Sequence, residues 1–136
     1  MHFALVEDDL LLSYAATFGL SLEQQGASYH LQFLGNVFTF PGARRQGHGG
    51  HVVSVATEHI LRSGADAGAL LCGPDVTQFY ARYGWQPAPA DTLVLGDAAE
   101  APTKLDSVRM MLFGSDRGIA ARHSLMKSPL QVPFAW

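Results

Sequence analysis

Polar and apolar residues alternate over much of the first 40 residues, a pattern that is typical of β-strands. Apolar-rich segments at residues 3–6 and 10–22 flank a polar turn and predict a hairpin. After a second polar turn, residues 29–40 predict a third strand, which Pro41 ends. The chain is therefore expected to begin with three strands in succession.

The next segment changes to helical spacing and predicts one amphipathic helix that stops at Gly64. The residues on its apolar face are Val52, Val53, Ala56, Ile60 and Leu61. A continuous apolar run at residues 67–72 predicts a buried strand. Residues 76–83 predict a short second helix, with Asp75 as its N-cap and Gly84 as its stop.

Two more apolar runs, at residues 92–95 and 108–113, predict strands that close the sheet as an antiparallel pair. Strands therefore come first in the chain, and helices then alternate with further strands. This order predicts a mixed α/β or α+β sheet rather than an all-parallel, doubly wound one.

Residues 115–136 predict a C-terminal tail. A helical turn or two is expected over residues 119–126, and Pro129 and Pro133 are expected to prevent regular structure after it. With its tail, the chain is expected to form a single domain over residues 1–136.

Composition and charge narrow the classes of function. A net charge of -3 without long runs of either sign argues against nucleic acid as a partner. The single cysteine, Cys72, fits a reducing compartment and lies in an apolar run, where an inert core thiol is expected. No segment is long and apolar enough to cross a membrane, so a soluble protein is expected, and the single cysteine favours the cytoplasm. The six histidines lack ligand spacing, and no metal is expected.

The strongest chemical signal is at residues 37–50, where a predicted strand runs through a Gly-rich turn into a helix N-terminus. Backbone N–H groups at a helix N-terminus have no intrahelical acceptor, and the helix dipole adds positive potential there. Arg44 and Arg45 add charged donors. The turn fits neither the dinucleotide-binding glycine pattern nor the P-loop, but it predicts a site for a phosphate-bearing ligand.

The pattern Arg44-x-x-Gly47-x-Gly49 resembles the acyl-CoA signature of the GNAT superfamily of N-acetyltransferases, usually written Gln/Arg-x-x-Gly-x-Gly/Ala. Residues 78–85, which include Tyr80, resemble the second signature of that family, an aromatic-Tyr-x-x-x-Gly-aromatic segment. The resemblance covers about residues 3–113. It implies an acyl-CoA N-acyltransferase fold, which is a mixed, mostly antiparallel sheet with a splayed strand and flanking helices.

The resemblance also implies an activity: transfer of an acetyl group from acetyl-CoA to a primary amine of a small molecule or peptide by direct attack. A backbone N–H of the splayed strand would polarise the thioester carbonyl, and Tyr80 would protonate the departing thiolate. The end of the strand would hold the pantetheine arm and the turn would hold the pyrophosphate. The residues expected to bind the co-substrate are Val37, Phe38, Thr39, Arg44, Arg45, Gln46, Gly47, His48, Gly49 and Gly50.

The chain departs from the family in three ways. It lacks the usual N-terminal strand and two helices, and Gly73 stands where many relatives have an Asn that contacts pantetheine. No Glu lies near the expected splay, so Glu23 and His30 are the nearest candidates for a general base. A water relay or an amine that arrives deprotonated are the alternatives.

These departures leave two other functions open: a degenerate member that binds CoA or a protein partner without catalysis, and an interaction module that uses only the fold. They also leave the side of the domain that would bind the acceptor amine without its usual wall. Either the tail or a second subunit would cover it, and a homodimer is expected. The tail, which ends in Trp136, is similar to that of aminoglycoside 2'-N-acetyltransferases.

Overall fold

A computed structural model describes residues 1–96, 100–134 and 136, and in this part of the chain two sheets are flanked by three helices. The strands are β1 (His2–Glu7), β2 (Leu10–Gln24), β3 (Ala27–Thr39), β4 (Ala67–Cys72), β5 (Gln86–Pro87), β6 (Thr92–Val94), β7 (Thr103–Lys104), β8 (Val108–Leu112) and β9 (Leu130–Val132). The helices are α1 (His48–Arg62), α2 (Thr77–Ala81) and α3 (Asp116–Lys127), and single 3₁₀ turns lie at Pro41–Ala43 and Pro74–Val76.

The larger sheet has the order β1-β2-β3-β4-β8-β5, and every neighbouring pair is antiparallel except β3 and β4. The two hairpins that the sequence predicts are present. Each turns through two left-handed residues, Asp8 and Asp9 in the first and Gln25 and Gly26 in the second. This geometry matches the twist of the flanking strands, which explains why the turns fall at polar residues and a glycine.

Helices cover both faces of this sheet. On one face, α1 and α2 pack over a core that includes Val53, Leu70 and Trp85, and the Trp85 indole N–H donates to the Thr57 hydroxyl at 3.0 Å. On the other face, α3 and the smaller sheet, β7-β6-β9, pack over a second core around Phe33. No helix in the described residues has the length and apolar character needed to span a bilayer.

The predicted closing pair of strands is wrong. β8 pairs with β4 and β5, whereas β6 pairs with β7 and β9 in the smaller sheet. β8 is buried along most of its length because it lies between two other strands. An apolar run indicates that a strand is buried, but it does not identify the neighbouring strand.

The C-terminal segment is more regular than the sequence indicates. α3 spans 12 residues and begins at Ser115, whose hydroxyl accepts a 2.9 Å hydrogen bond from the Gly118 N–H. Contrary to prediction, β9 forms between Pro129 and Pro133. It lies at the edge of its sheet, where a proline next to the strand does not interrupt the hydrogen bonds between strands.

The expected N-cap of α2 is also wrong. Asp75 lies inside the 3₁₀ turn that starts at Pro74, and Val76 occupies the N-cap position without a side-chain hydrogen bond. The helix is shorter than predicted, but the stop is confirmed, because Gly84 has a φ of +93°.

The sequence gives no sign of a buried arginine that joins the two sheets to α3. Arg109 on β8 is 1% exposed, and its guanidinium donates to the carbonyl oxygens of Asp91 at 2.9 Å and of Leu125 and Ser128 at 3.1 Å. Burial lowers the pKa of Arg109 to about 10, so it stays charged at neutral pH. The cation therefore satisfies carbonyl groups at the C-terminus of α3, where the helix dipole favours positive charge.

Candidate functional site

The end of β3 is splayed away from β4. The two strands pair only where Leu31 to Leu34 face Ala67 to Leu70, although both strands continue further. Just beyond this point Asn36 has a φ of +53° and the register with β2 shifts, which marks a β-bulge. The last residues of β3 are therefore held by β2 on one side and border an open gap on the other.

Two hydrogen bonds establish which backbone groups face this gap. The Phe40 N–H donates to the Leu12 carbonyl at 3.0 Å, on the β2 side. The Arg44 Nε donates to the Thr39 carbonyl at 3.0 Å, from the opposite side. Because successive residues of a strand point their backbone groups to opposite edges, the N–H and C=O groups of Val37 also face the gap.

The turn between β3 and α1 presents a row of free donors. In the described part of the chain, the backbone N–H groups of residues 45–50 have no hydrogen-bond acceptor. Arg45 and Gly47 both have left-handed backbone, with φ values of +63° and +82°, and Gly47 occupies the N-cap position of α1. An ordinary helix leaves four such groups free, so this turn extends the donor row beyond the helix itself.

The charges around this turn are also positive. Arg44 and Arg45 are exposed, and no carboxylate of the described residues forms an ion pair with either. The first turn of α1 has no acidic residue. Free N–H groups, two unpaired cations and a helix N-terminus together favour the binding of an anionic group such as a phosphate.

The glycines of the turn are required for different reasons. Gly47 has open space where a Cβ would lie, so its left-handed backbone is what favours glycine. A Cβ on Gly49 would lie 3.0 Å from the Thr39 hydroxyl oxygen, and a Cβ on Gly50 would overlap the Tyr83 hydroxyl. The last two glycines therefore allow α1 to pack closely against β3 and against the segment after α2.

A cleft of about 540 Å³ lies between the end of β3, the turn, the start of α1 and α2. It brings together nine of the ten residues predicted to bind the co-substrate, and it also contains Tyr80. The tenth, Gln46, lines a neighbouring depression instead. Val76, Phe79 and Ala43 complete the lining, and of these only Phe79 had a sequence signal, as the aromatic residue before Tyr80.

Tyr80 is the buried tyrosine that lines this cleft. The residue is 9% exposed, and its hydroxyl is not one of the buried polar atoms that lack a hydrogen-bond partner in the described residues. Burial, with a smaller contribution from Cys72, raises the pKa of Tyr80 to about 12. The hydroxyl is therefore protonated at neutral pH and available to donate a hydrogen bond.

Cys72 is buried near Tyr80 at the end of β4. Burial raises the pKa of the Cys72 thiol, and the charge of Asp75 raises it further. A thiol of this kind is a poor nucleophile, in agreement with the inert role expected from the sequence. In the described chain no group of His, Cys, Asp and Glu side chains could hold a metal ion.

Neither candidate general base is near the cleft. His30 precedes the paired stretch of β3 and is seven residues from Val37, which corresponds to about 23 Å along a strand. Glu23 lies across from Ser28 at the same far end of the sheet. Among the described residues that line the cleft, His48, the two arginines and Tyr80 are the titratable groups.

The C-terminal segment folds back onto the start of the splay. The Trp136 indole N–H donates to the Leu34 carbonyl at 3.2 Å, and the Trp136 and Phe33 rings meet edge to face at 4.4 Å. Leu34 is the last residue of β3 that pairs with β4. The tail and a second subunit are the two expected ways to cover the acceptor side. Within a single chain, the tail reaches the point where β3 separates from β4.

Comparison with known proteins gives matches only at the level of structure. No family model matches the chain, and no curated protein matches its sequence. A GNAT family acetyltransferase from Brucella melitensis, solved with acetyl-CoA, has 25% identity and a TM-score of 0.53 over 62% of this chain and 52% of its own. The GNAT family N-acetyltransferase YhbS from Escherichia coli, solved with CoA, has 15% identity and a TM-score of 0.66 over 96% of this chain and 65% of its own. Escherichia coli ElaA has 19% identity and a TM-score of 0.57, over 82% and 66%.

The chain therefore has the GNAT fold, and the expected mixed, mostly antiparallel sheet with a splayed strand is confirmed. It spans between about half and two thirds of the length of these structures.

Proposed function

We propose that this protein transfers an acetyl group from acetyl-CoA to a primary amine of a small molecule or peptide by direct attack. The observation that carries the proposal is the cleft itself. It joins a row of free N–H groups at residues 45–50, an open backbone edge at Val37 to Thr39 and the side chain of Tyr80. The GNAT fold and the relatives solved with CoA species support the same co-substrate.

The residues of the cleft fit the parts of acetyl-CoA. The N–H groups of residues 45–50 would bind the pyrophosphate, and Arg44 and Arg45 would neutralise its charge. The gap-facing groups of Val37 and Thr39 would bind the amides of the pantetheine arm, as an added strand binds a sheet edge. Acetyl-CoA supplies the thioester that the amine attacks, and a free N–H of the same strand would polarise its carbonyl.

Tyr80 would act as the general acid by donating a hydrogen bond from its hydroxyl to the sulfur as the thiolate develops. Its raised pKa of about 12 keeps the hydroxyl in the donating form throughout the physiological range. Because the described lining of the cleft has no carboxylate, we propose that the amine arrives deprotonated or loses its proton through water. On that account the rate rises with pH toward the pKa of the amine.

A homodimer and a cytoplasmic location are further parts of the proposal. The homodimer is supported by exposed apolar side chains around the first hairpin and the end of β3, namely Val6 (55% exposed), Leu10 (67%), Phe38 (43%) and Phe40 (48%). The cytoplasmic location is supported by the single free thiol of Cys72.

Calorimetric titration with acetyl-CoA, with CoA and ATP as comparisons, tests the binding step. We expect micromolar binding of both CoA species and much weaker binding of ATP. Gly47→Glu should abolish it, because a carboxylate would enter the phosphate site. Gly26→Glu is the matched control, since Gly26 also has left-handed backbone and open space at its Cβ but lies in the β2–β3 turn.

Normal acetyl-CoA binding by Gly47→Glu would rule out the turn as the phosphate site. If the wild-type protein binds acetyl-CoA but releases no CoA with any amine of a broad panel, the degenerate, non-catalytic alternative replaces the enzyme.

A further inference from the structure

A buried serine on β2 holds the end of β3 that borders the cleft. Ser13 is 0% exposed, and its hydroxyl lies 3.0 Å from the Phe38 carbonyl oxygen and 2.9 Å from the Thr39 hydroxyl oxygen. A hydroxyl has one proton, and only a donor can satisfy the carbonyl. Ser13 therefore donates to Phe38, and Thr39 donates to Ser13.

This hydroxyl pair connects three elements of the site. Ser13 belongs to β2 and Thr39 to β3, and the Thr39 oxygen lies directly against Gly49 in the first turn of α1, where a Cβ would come within 3.0 Å. The pair thus lies between the open strand edge and the row of free N–H groups.

The local geometry explains why a side chain is needed here. The β2–β3 ladder is irregular between Tyr14 and Ala16, and beyond the bulge at Asn36 it resumes for only a short stretch, with Tyr14 opposite Phe38 and Ser13 opposite Thr39. The Ser13 bond to the Phe38 carbonyl acts beyond that bulge. It adds a side-chain hydrogen bond to the peptide group that joins Phe38 to Thr39, next to the gap-facing backbone groups of Thr39.

We propose that Ser13 and Thr39 form a positioning pair that holds the pantetheine-binding edge of β3 in its bound geometry before the ligand arrives. This inference rests on the proposed function. Its specific consequence is that loss of the pair weakens the binding of ligands that carry pantetheine. The binding of ligands that carry only the nucleotide half of CoA should not change, because the donor row at residues 45–50 does not depend on the pair for its hydrogen bonds.

The test compares Ser13→Ala and Thr39→Val with Thr39→Ser, which keeps the hydroxyl. Thr17→Val is the matched control, because Thr17 is a buried β2 hydroxyl, 4% exposed, whose oxygen has no hydrogen-bond partner in the described structure. The Kd values of acetyl-CoA and of adenosine 3′-phosphate 5′-diphosphate are measured by calorimetry at a temperature where circular dichroism shows each variant folded.

We expect Ser13→Ala and Thr39→Val to raise the Kd of acetyl-CoA by about 5- to 30-fold, which corresponds to the loss of one positioning hydrogen bond. The Kd of the nucleotide half should change by less than about twofold. Thr39→Ser should recover most of the acetyl-CoA affinity that Thr39→Val loses, and Thr17→Val should bind both ligands like the wild type.

Equal binding of acetyl-CoA by wild type, Ser13→Ala and Thr39→Val overturns the positioning pair and leaves the proposed function intact. Equal weakening of both ligands also overturns it, because that result indicates a general structural role. If Ser13→Ala does not fold, the comparison of Thr39→Val with Thr39→Ser decides. Absence of acetyl-CoA binding in the wild type overturns both the proposed function and this inference.

Discussion

Replacing Tyr80 by phenylalanine removes the hydroxyl that we propose as proton donor to the departing thiolate. Burial raises the pKa of Tyr80 to about 12, whereas an ordinary thiol has a pKa of about 8.5. Complete proton transfer would be uphill by about 3.5 pK units, or about 5 kcal/mol. The hydroxyl therefore stabilises the thiolate mainly through a hydrogen bond, which contributes about 1.5–3 kcal/mol when one partner is charged. We expect Tyr80→Phe to lower kcat by about 10- to 150-fold.

The assay follows release of the CoA thiol with the amine that gives the highest rate, and calorimetry gives the Kd for acetyl-CoA. That Kd should stay within about twofold, since the hydrogen bond forms only as the thiolate develops. The phenol stays protonated below its pKa of about 12. We therefore expect the plots of kcat against pH for the wild type and the variant to have the same shape on the basic side. Unchanged kcat would remove Tyr80 from the mechanism, and a limb below pH 10 that disappears in Tyr80→Phe would contradict the raised pKa.

Two further predictions concern the stability and the assembly of the protein. Gly118→Ala should lower the free energy of unfolding by about 2–4 kcal/mol in denaturant titrations, because a Cβ would overlap the Asp66 carbonyl and displace α3. Helix propensity alone would favour Ala by about 1 kcal/mol, so the sign of the change distinguishes the two effects. Gly42→Ala, which meets no atom within 4 Å, is the control, and equal stability of both variants would contradict the packing of α3. Light scattering should give the mass of two chains for the wild type and of one for Phe40→Ser, and a monomeric wild type would exclude the homodimer.

Most of the residues that line the cleft were predictable as a group because their sequence signals are local. A strand followed by glycines, two arginines and a helix N-terminus lies in one continuous segment, and its ligand chemistry follows from free N–H groups that any such turn presents. Tyr80 was found through its spacing to Gly84. The sequence did not indicate the hydroxyl pair of Ser13 and Thr39, because the two residues are 26 positions apart and meet only through strand pairing.

The general base shows the opposite case. Glu23 and His30 were chosen because they are the nearest candidates in the sequence, yet both lie at the far end of long strands. Distance along a strand grows by about 3.3 Å per residue, so neighbours in sequence separate quickly in an extended chain.

The sequence by itself determined the local elements: the hairpins, the buried strand at β4, the helix stops at Gly64 and Gly84, and the glycine-rich turn before α1. These depend on side-chain periodicity and backbone preferences within a few residues. Only the tertiary structure decided the partners of β8, the formation of β9 between two prolines, the cleft that joins β3 to α2 and the burial that raises the pKa of Tyr80. Those properties arise from contacts between distant segments, and strand pairing and burial are fixed by the whole packed core rather than by any one stretch of sequence.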